Sequence, residues 1–425
     1  MNHPLMKQPL SRRILLGSAA GLAAAATLPA GLAQAAPRTA TVPFVLNAEV
    51  LDGGEQVVAL TLDAHALGPI DASSITTATF TVHALAESPL VIPDGEMIFN
   101  LFDGERRVTE VSIDQKRQIV LTLEHGESVA GGATLGYLLK AGRNVQLDLT
   151  YTITVATPIR LRNGRSVSDV TFVQAEGVVN PEVDAYSYGV SSGGMNYRLH
   201  SPSPGASGSK GNAQSGNRYD LIVWLHGAGE GGMRDGTFYT NETQLRGNRG
   251  ALGFSTPAAQ EIFGGAYVLA PQCKTWWLDD IYTTDLKACI DEVVAKFRID
   301  PSRVHVVGCS NGGFMSMEMA QAYPDFFASS VPICTAIYPF TTEDIRRLEY
   351  TPTWFVAAEN DPVVPAETNA VYAHELVPSS ILTLYPNVVW DGYEFNGHWS
   401  WIYVAHNDPV HDGVHIWNWM AAQSR

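Results

Sequence analysis

Cysteine is scarce in this chain: 425 residues contain only Cys273, Cys289, Cys309 and Cys334, all in the second half. No two of them are spaced C-x-x-C, which removes the common zinc-binding and dithiol motifs. Basic residues are also few, 27 Lys and Arg against 43 Asp and Glu, for a formal net charge of −16. Such a surface repels phosphate backbones and anionic bilayers, so neither nucleic acid nor an anionic membrane is expected as a partner. A Gly-Lys-Ser/Thr sequence is absent, which excludes the usual phosphate-cradling loop. Beyond the first 35 residues no stretch approaches the ~18 apolar residues needed to cross a bilayer.

Residues 1–35 lack acids altogether, and they hold Lys7, Arg12 and Arg13. Arg12 and Arg13 precede an uncharged Ala/Gly/Leu run that ends in the small-x-small triplet Ala33-Gln34-Ala35, the layout of a twin-arginine export signal. A run of this length would also span a membrane, but Pro29, the Ala/Gly content and the triplet favour cleavage before Ala36. The expectation is a secreted or periplasmic protein with no membrane attachment after cleavage. Four cysteines permit two disulfides in three connectivities. Export in the folded state means folding in the reducing cytoplasm, so bridges form late or not at all.

The rest divides into two patterns. Residues 41–180 alternate apolar and polar in short runs such as "VVALTLDAH" and "RQIVLTLEH", broken by Gly, Asp, Asn and Pro, which predicts an antiparallel β-sandwich. No cluster of His, Asp and Ser occurs there, so this region is expected to act as scaffold or interface. From 186 to 425, after a Gly/Ser-rich surface excursion at 204–217, uninterrupted apolar strands ("YDLIVWL", "GAYVLAPQ", "RVHVVG", "TPTWFVAAE", "ILTLYP") alternate with helical runs at 284–298, 311–322, 366–376 and the chain end. That is the pattern of a doubly wound, mostly parallel sheet, whose ligands bind at the carboxyl ends of the strands.

The chemistry-bearing residues fall at those ends. Ser310 is the centre of G-x-S-x-G in "VHVVGCSNGGF", between a predicted strand and a predicted helix, the setting of a nucleophile elbow. A serine hydroxyl needs a base, and the base an orienting acid. His398 in "FNGHWSW" follows the last sheet strand and is the expected base. Asp361 in "AENDPVVP" follows a strand and is preferred as the acid over Glu359 and Asp391. The glycine loop "HGAGEGG", residues 226–232, offers backbone N–H groups near Ala228 and Gly229, and Asn311 offers a further one directly after the serine, for a developing oxyanion. His226 is read as organising that loop, and His305 as facing into its strand. His411 and His415 form an i,i+4 pair without a third ligand at a convincing spacing, so no metal and no cofactor are expected. Trp276, Trp277, Trp399 and Trp401 lie beside these loops and are candidates to line a substrate site.

The series "LHGAGE", "APQC" followed by Trp276-Trp277, "GCSNGG", "AENDPVVP" and "GHWSW" resembles secreted α/β-hydrolase esterases and predicted peptidases related to the prolyl oligopeptidase superfamily and to polyhydroxybutyrate depolymerase-like esterases. Some of these carry an N-terminal immunoglobulin-like domain. The resemblance spans residues 186–425 and is only architectural for 41–180. It implies Ser310 as nucleophile, Asp361 as acid, His398 as base, and backbone amides near Ala228 and at Asn311 for the oxyanion. The chain lacks the propeller-length N-terminal region of the oligopeptidases, which favours carboxylic esters, small or polymeric, over peptides. In relatives with a similar Gly-Cys-Ser a second cysteine follows the histidine; Trp399 stands there instead, and that bridge is not expected. A serine peptidase and a binding protein on a degenerate hydrolase fold are the alternatives.

Overall fold

In the computed structural model the described residues are 40–114, 116–203, 206, 208, 218–278 and 282–425. The export segment read in residues 1–35 lies outside them, as does most of the 204–217 excursion. Residues 40–425 form one compact unit.

The first part is β-rich. Along Ala40–Leu51, Val42, Phe44, Leu46, Ala48 and Val50 are buried, and along Phe80–Glu87, Phe80, Val82, Ala84 and Ala86 are. Every second residue turns inward because successive side chains of a strand point to opposite faces. The strands Val170–Val179, Ala40–Leu51, Gly54–Leu62, Ile119–Leu123 and Val108–Ile113 form one sheet in that order. Asp148–Val155, Phe80–Glu87 and Phe102–Arg106 form a second, and the inward residues of both share one apolar core. Pairing is antiparallel except where Ala40–Leu51 runs parallel to Val170–Val179. The whole sandwich separates these two strands in sequence, and that length supplies the crossover a parallel pair requires. A small third sheet, Ile98–Phe99, Leu135–Leu138 and Arg143–Gln146, lies beside the sandwich.

The second part is an eight-stranded sheet in the order Ser187–Val190, Asn196–His200, Ala266–Pro271, Tyr219–Leu225, Ile299–Cys309, Ser329–Ile333, Trp354–Ala358 and Ile381–Tyr385. The two strands at the Ser187 edge pair antiparallel and the rest are parallel. The central strands are mostly apolar because both faces are covered, and the buried Asp220 among them is paired with Arg303. Ile222 and Trp224 enter one core, and Leu221, Val223 and Leu225 enter the other. Over the second of these cores lies the helix Tyr282–Lys296, which buries Leu286, Cys289, Ile290 and Val293 at helical spacing. Beside it Asn311–Ala322 contributes Met315 and Met319. Gly250–Ser255, Pro257–Phe263 and Ile416–Ala422 cover the opposite face. The helix expected at 366–376 begins as a π-helical turn, Glu367–Val371, before continuing as Tyr372–Leu376. A hairpin of Val388–Trp390 and Tyr393–Phe395, not foreseen from the sequence, intervenes before His398.

The two parts are joined by polar contacts, some of them buried. Glu55 of the sandwich accepts from Arg246 Nη1 at 2.5 Å and from Asn180 Nδ2 at 2.7 Å. Arg249 reaches both Val50 O and the Glu182 carboxylate. His406 Nε2 lies 2.9 Å from Asp52 Oδ1. Cys273, Cys289, Cys309 and Cys334 are all buried, and no disulfide joins any two of them.

Candidate active site

Ser310 sits where the strand Ile299–Cys309 turns into the helix Asn311–Ala322, at φ 54° and ψ −114°. A non-glycine residue with positive φ is strained, and the strain persists because the surroundings over-determine it. The Ser310 N–H donates to Ile333 O at 2.8 Å. A Cβ at Gly308 would lie 2.2 Å from Gly312 O, and one at Gly312 would lie 2.0 Å from Leu225 O. The turn is this tight only because both positions are glycine. The result is a partly exposed hydroxyl above the sheet.

His398 Nε2 is 2.9 Å from Ser310 Oγ, and His398 Nδ1 is 2.8 Å from Asp361 Oδ2. The second oxygen of Asp361 accepts from the backbone N–H groups of Val363 and Val364, at 2.8 and 2.9 Å, which fixes the carboxylate after the strand Trp354–Ala358. Asn396 caps the short turn Gly397–Trp399 by accepting from the His398 N–H. Gly397 presses against Asn360, where any Cβ would lie 2.2 Å from Asn360 Oδ1, so the histidine loop meets the aspartate loop. Glu359 and Asp391, the rival acids, are both exposed, and Asp391 lies in the turn of the extra hairpin at φ 47°.

The glycine loop forms the third side. Ala228–Glu230 is a turn of 3-10 helix after the strand Tyr219–Leu225. His226 accepts from the Cys273 N–H at Nε2, 2.9 Å, and its Nδ1 donates to Gly227 O at 2.6 Å. Burial lowers this imidazole to about 4, so it stays neutral and holds the loop. Asn311 Oδ1 accepts from the Trp277 N–H at 2.8 Å, and the Asn311 N–H, first in its helix, has no acceptor one turn back in that helix. Glu230 is buried, and that burial pushes its carboxyl up to about 7. Its own amide, Arg143, the Gly227 amide and Asn144 pull the other way.

The tryptophans separate into different roles. Trp277 is 1 % exposed and donates through Nε1 to His226 O, so it belongs to the core and the candidate substrate contact assigned to it is withdrawn. Trp276 is 40 % exposed and lies over the Arg143 guanidinium. Trp399 lines a cavity of about 440 Å³ together with Asn100, Phe102 and Asn144 from the first part of the chain and Phe395 from the second. Trp401 is buried edge-on to His398. No group of His, Cys, Asp and Glu that could hold a metal occurs among the described residues, and no described helix is long and apolar enough to cross a membrane.

Tyr137, Arg143 and Asn144 stand against the glycine loop although nothing in their sequence setting singles them out. Asn144 Nδ2 donates to Glu230 Oε1 at 3.2 Å, and a Cβ on Gly229 would lie 3.1 Å from Asn144 Nδ2 and 3.5 Å from Tyr137 Cε2. The available signal was Glu230 itself: an acid inside an otherwise apolar glycine loop requires a buried partner.

Residues 278–375 match the prolyl oligopeptidase family. Over 137 residues the chain is 32% identical to poly(3-hydroxyalkanoate) depolymerase C of Paucimonas lemoignei, a match covering 29% of this chain and 29% of the depolymerase. The chain thus spans less than a third of that relative's length. Among solved structures it is similar to that of a thermostable esterase, with a TM-score of 0.69 and 23% identity over 90% of this chain and 99% of the other. The fold is therefore the α/β-hydrolase fold preceded by a β-rich region.

Proposed function

We propose that this chain, an α/β-hydrolase related to the prolyl oligopeptidase family, is a serine esterase that cleaves carboxylic esters through an acyl-enzyme on Ser310. The observation that carries the reading is the unbroken relay from Ser310 Oγ through His398 to Asp361, with contacts of 2.9 and 2.8 Å, on a strained elbow. Ser310 Oγ attacks the ester carbonyl carbon as its proton passes to His398 Nε2, and Asp361 stabilises the imidazolium through Nδ1–H. The carbonyl oxygen becomes an oxyanion facing the N–H of Asn311 and one from the Ala228–Gly229 turn. Collapse of the tetrahedral intermediate expels the alcohol, which takes the proton from His398. Water activated by the same histidine then releases the acid and restores Ser310. None of these steps calls on a cofactor.

The substrate is a small or polymeric ester; the depolymerase among the relatives supports including polyesters. The protein works outside the cytoplasm, exported by the twin-arginine route. A serine peptidase is the second reading, favoured by the prolyl oligopeptidase family match. Purified protein assayed against p-nitrophenyl esters of graded acyl length and against peptide p-nitroanilides separates the two. Turnover confined to the esters is expected, and efficient cleavage of anilides with negligible esterase activity would move the assignment to peptidase.

A further inference from the structure

The β-rich region does more than abut the hydrolase. Its strand Arg143–Gln146 begins with a cation that is 1 % exposed. A buried guanidinium is costly unless its donors are all engaged. Here Nε donates to Gly232 O at 3.1 Å, Nη1 to Gly142 O at 2.9 Å and Nη2 to Thr275 O at 3.4 Å, and Trp276 covers the charge with its ring centre 4.3 Å away. Gly232 ends the glycine loop. Thr275 precedes Trp277, whose N–H holds Asn311 Oδ1. One side chain therefore ties together the two segments that flank both expected oxyanion donors. These segments are in close contact at Gly231, where a Cβ would lie 2.4 Å from Thr275 O. The neighbouring Asn144 binds the Glu230 carboxylate, whose other oxygen packs against Gly227 at the start of the Ala228–Glu230 turn, where a Cβ would lie 3.3 Å from Glu230 Oε2.

We propose that Arg143 and Asn144 are positioning residues of the active site, holding the 226–232 loop so that its N–H groups point at the substrate carbonyl oxygen. The inference rests on the reading of Ser310 as the nucleophile. The oxyanion hole is then assembled across the two parts of the chain. Its donors come from the α/β part, and their fixed orientation comes from the small sheet beside the sandwich. Preorganised donors contribute most when they need not move as charge develops, and loss of their support is felt in the transition state more than in ground-state binding.

The test uses the full-length chain with Asn144→Ala, Arg143→Ala and Arg143→Lys. Two readouts are taken: kcat and KM for p-nitrophenyl acetate, and inhibition by phenylboronic acid, whose boron takes Ser310 Oγ as a fourth ligand and places an oxygen where the oxyanion forms. Asn144→Ala and Arg143→Ala should lower kcat about tenfold to a hundredfold with KM within about twofold, and should weaken boronate inhibition by a similar factor. Arg143→Lys should recover part of the loss. Asn144 is only partly buried, so Asn144→Ala decides the matter even where Arg143→Ala unfolds. Full kcat and full boronate affinity in Asn144→Ala, with wild type active, would overturn this inference alone. Wild-type protein that neither hydrolyses the ester nor binds the boronate would overturn the esterase reading and this inference with it.

Discussion

His398 Nδ1 lies 2.8 Å from Asp361 Oδ2, and the carboxylate is closed off from solvent by the His398 ring and the Val363 and Val364 amides. In the proposed reaction an aspartate so placed fixes the tautomer that leaves Nε2 free to take the Ser310 proton. Asp361→Asn should therefore lower kcat by about 10⁴ with the fold intact. Asp391→Asn, in an exposed hairpin turn, should leave it near wild type. Steady-state kinetics on a short activated ester, with circular dichroism as the folding control, check both. Comparable losses at Asp391 would transfer the role.

Glu230 links stability to pH. Its ordinary value of 4.5 is raised to about 7 by burial in the glycine loop. A group with a raised native pKa stabilises the fold fully below its unfolded value and loses that contribution as pH rises through the native one. Wild type should shed stability as the pH rises from 4.5 to about 7 for this reason. Glu230→Gln does not titrate, so the variant-minus-wild-type difference in unfolding free energy should move in the variant's favour between about pH 5 and about pH 8, by at most a few kcal/mol. His226, held at about 4 by burial, acts in the opposite sense but is common to both proteins and cancels in the difference. Urea unfolding at the two pH values measures it, and a constant difference would show that folding does not raise the pKa of Glu230.

The adjacent tryptophans should behave oppositely. Trp277→Ala removes a fully buried ring and the donor to His226 O, and should cost about 3–5 kcal/mol. Trp276→Ala removes a half-exposed ring over Arg143 and should cost clearly less. Equal losses in denaturant titrations would contradict the separation of their roles.

That separation shows where the sequence was readable. Period-two alternation marked the sandwich strands, and apolar runs such as 221–225 marked the doubly wound sheet, because burial on one face or two leaves a direct imprint on residue order. Ser310 was legible because glycines at 308 and 312 answer to a local steric demand. Chain order led to the expectation that Asp361 and His398 meet beside it, and their side chains do. The roles of Trp276 and Trp277 were not legible, since neighbours on a loop point in directions that only the packing decides. Arg143 and Asn144 were invisible for a different reason. Their partners, Gly232 and Glu230, are 89 and 86 residues away, and nothing in a short β-hairpin marks one arginine as buried.

The proposed export rests on Arg12-Arg13 and Ala33-Gln34-Ala35. N-terminal sequencing of protein recovered outside the cytoplasm should read from Ala36. Uncleaved chain in the membrane fraction would support an anchor instead.

The central claim is that Ser310 is an activated nucleophile. The direct measurement is labelling with a fluorophosphonate, in which Ser310 Oγ bonds to phosphorus and fluoride leaves, followed by peptide mapping. One adduct per chain at Ser310 is expected in wild type, with none in Ser310→Ala, and ester turnover should vanish together with the label. Folded wild-type protein that takes no label, or Ser310→Ala that still takes it, would contradict the account.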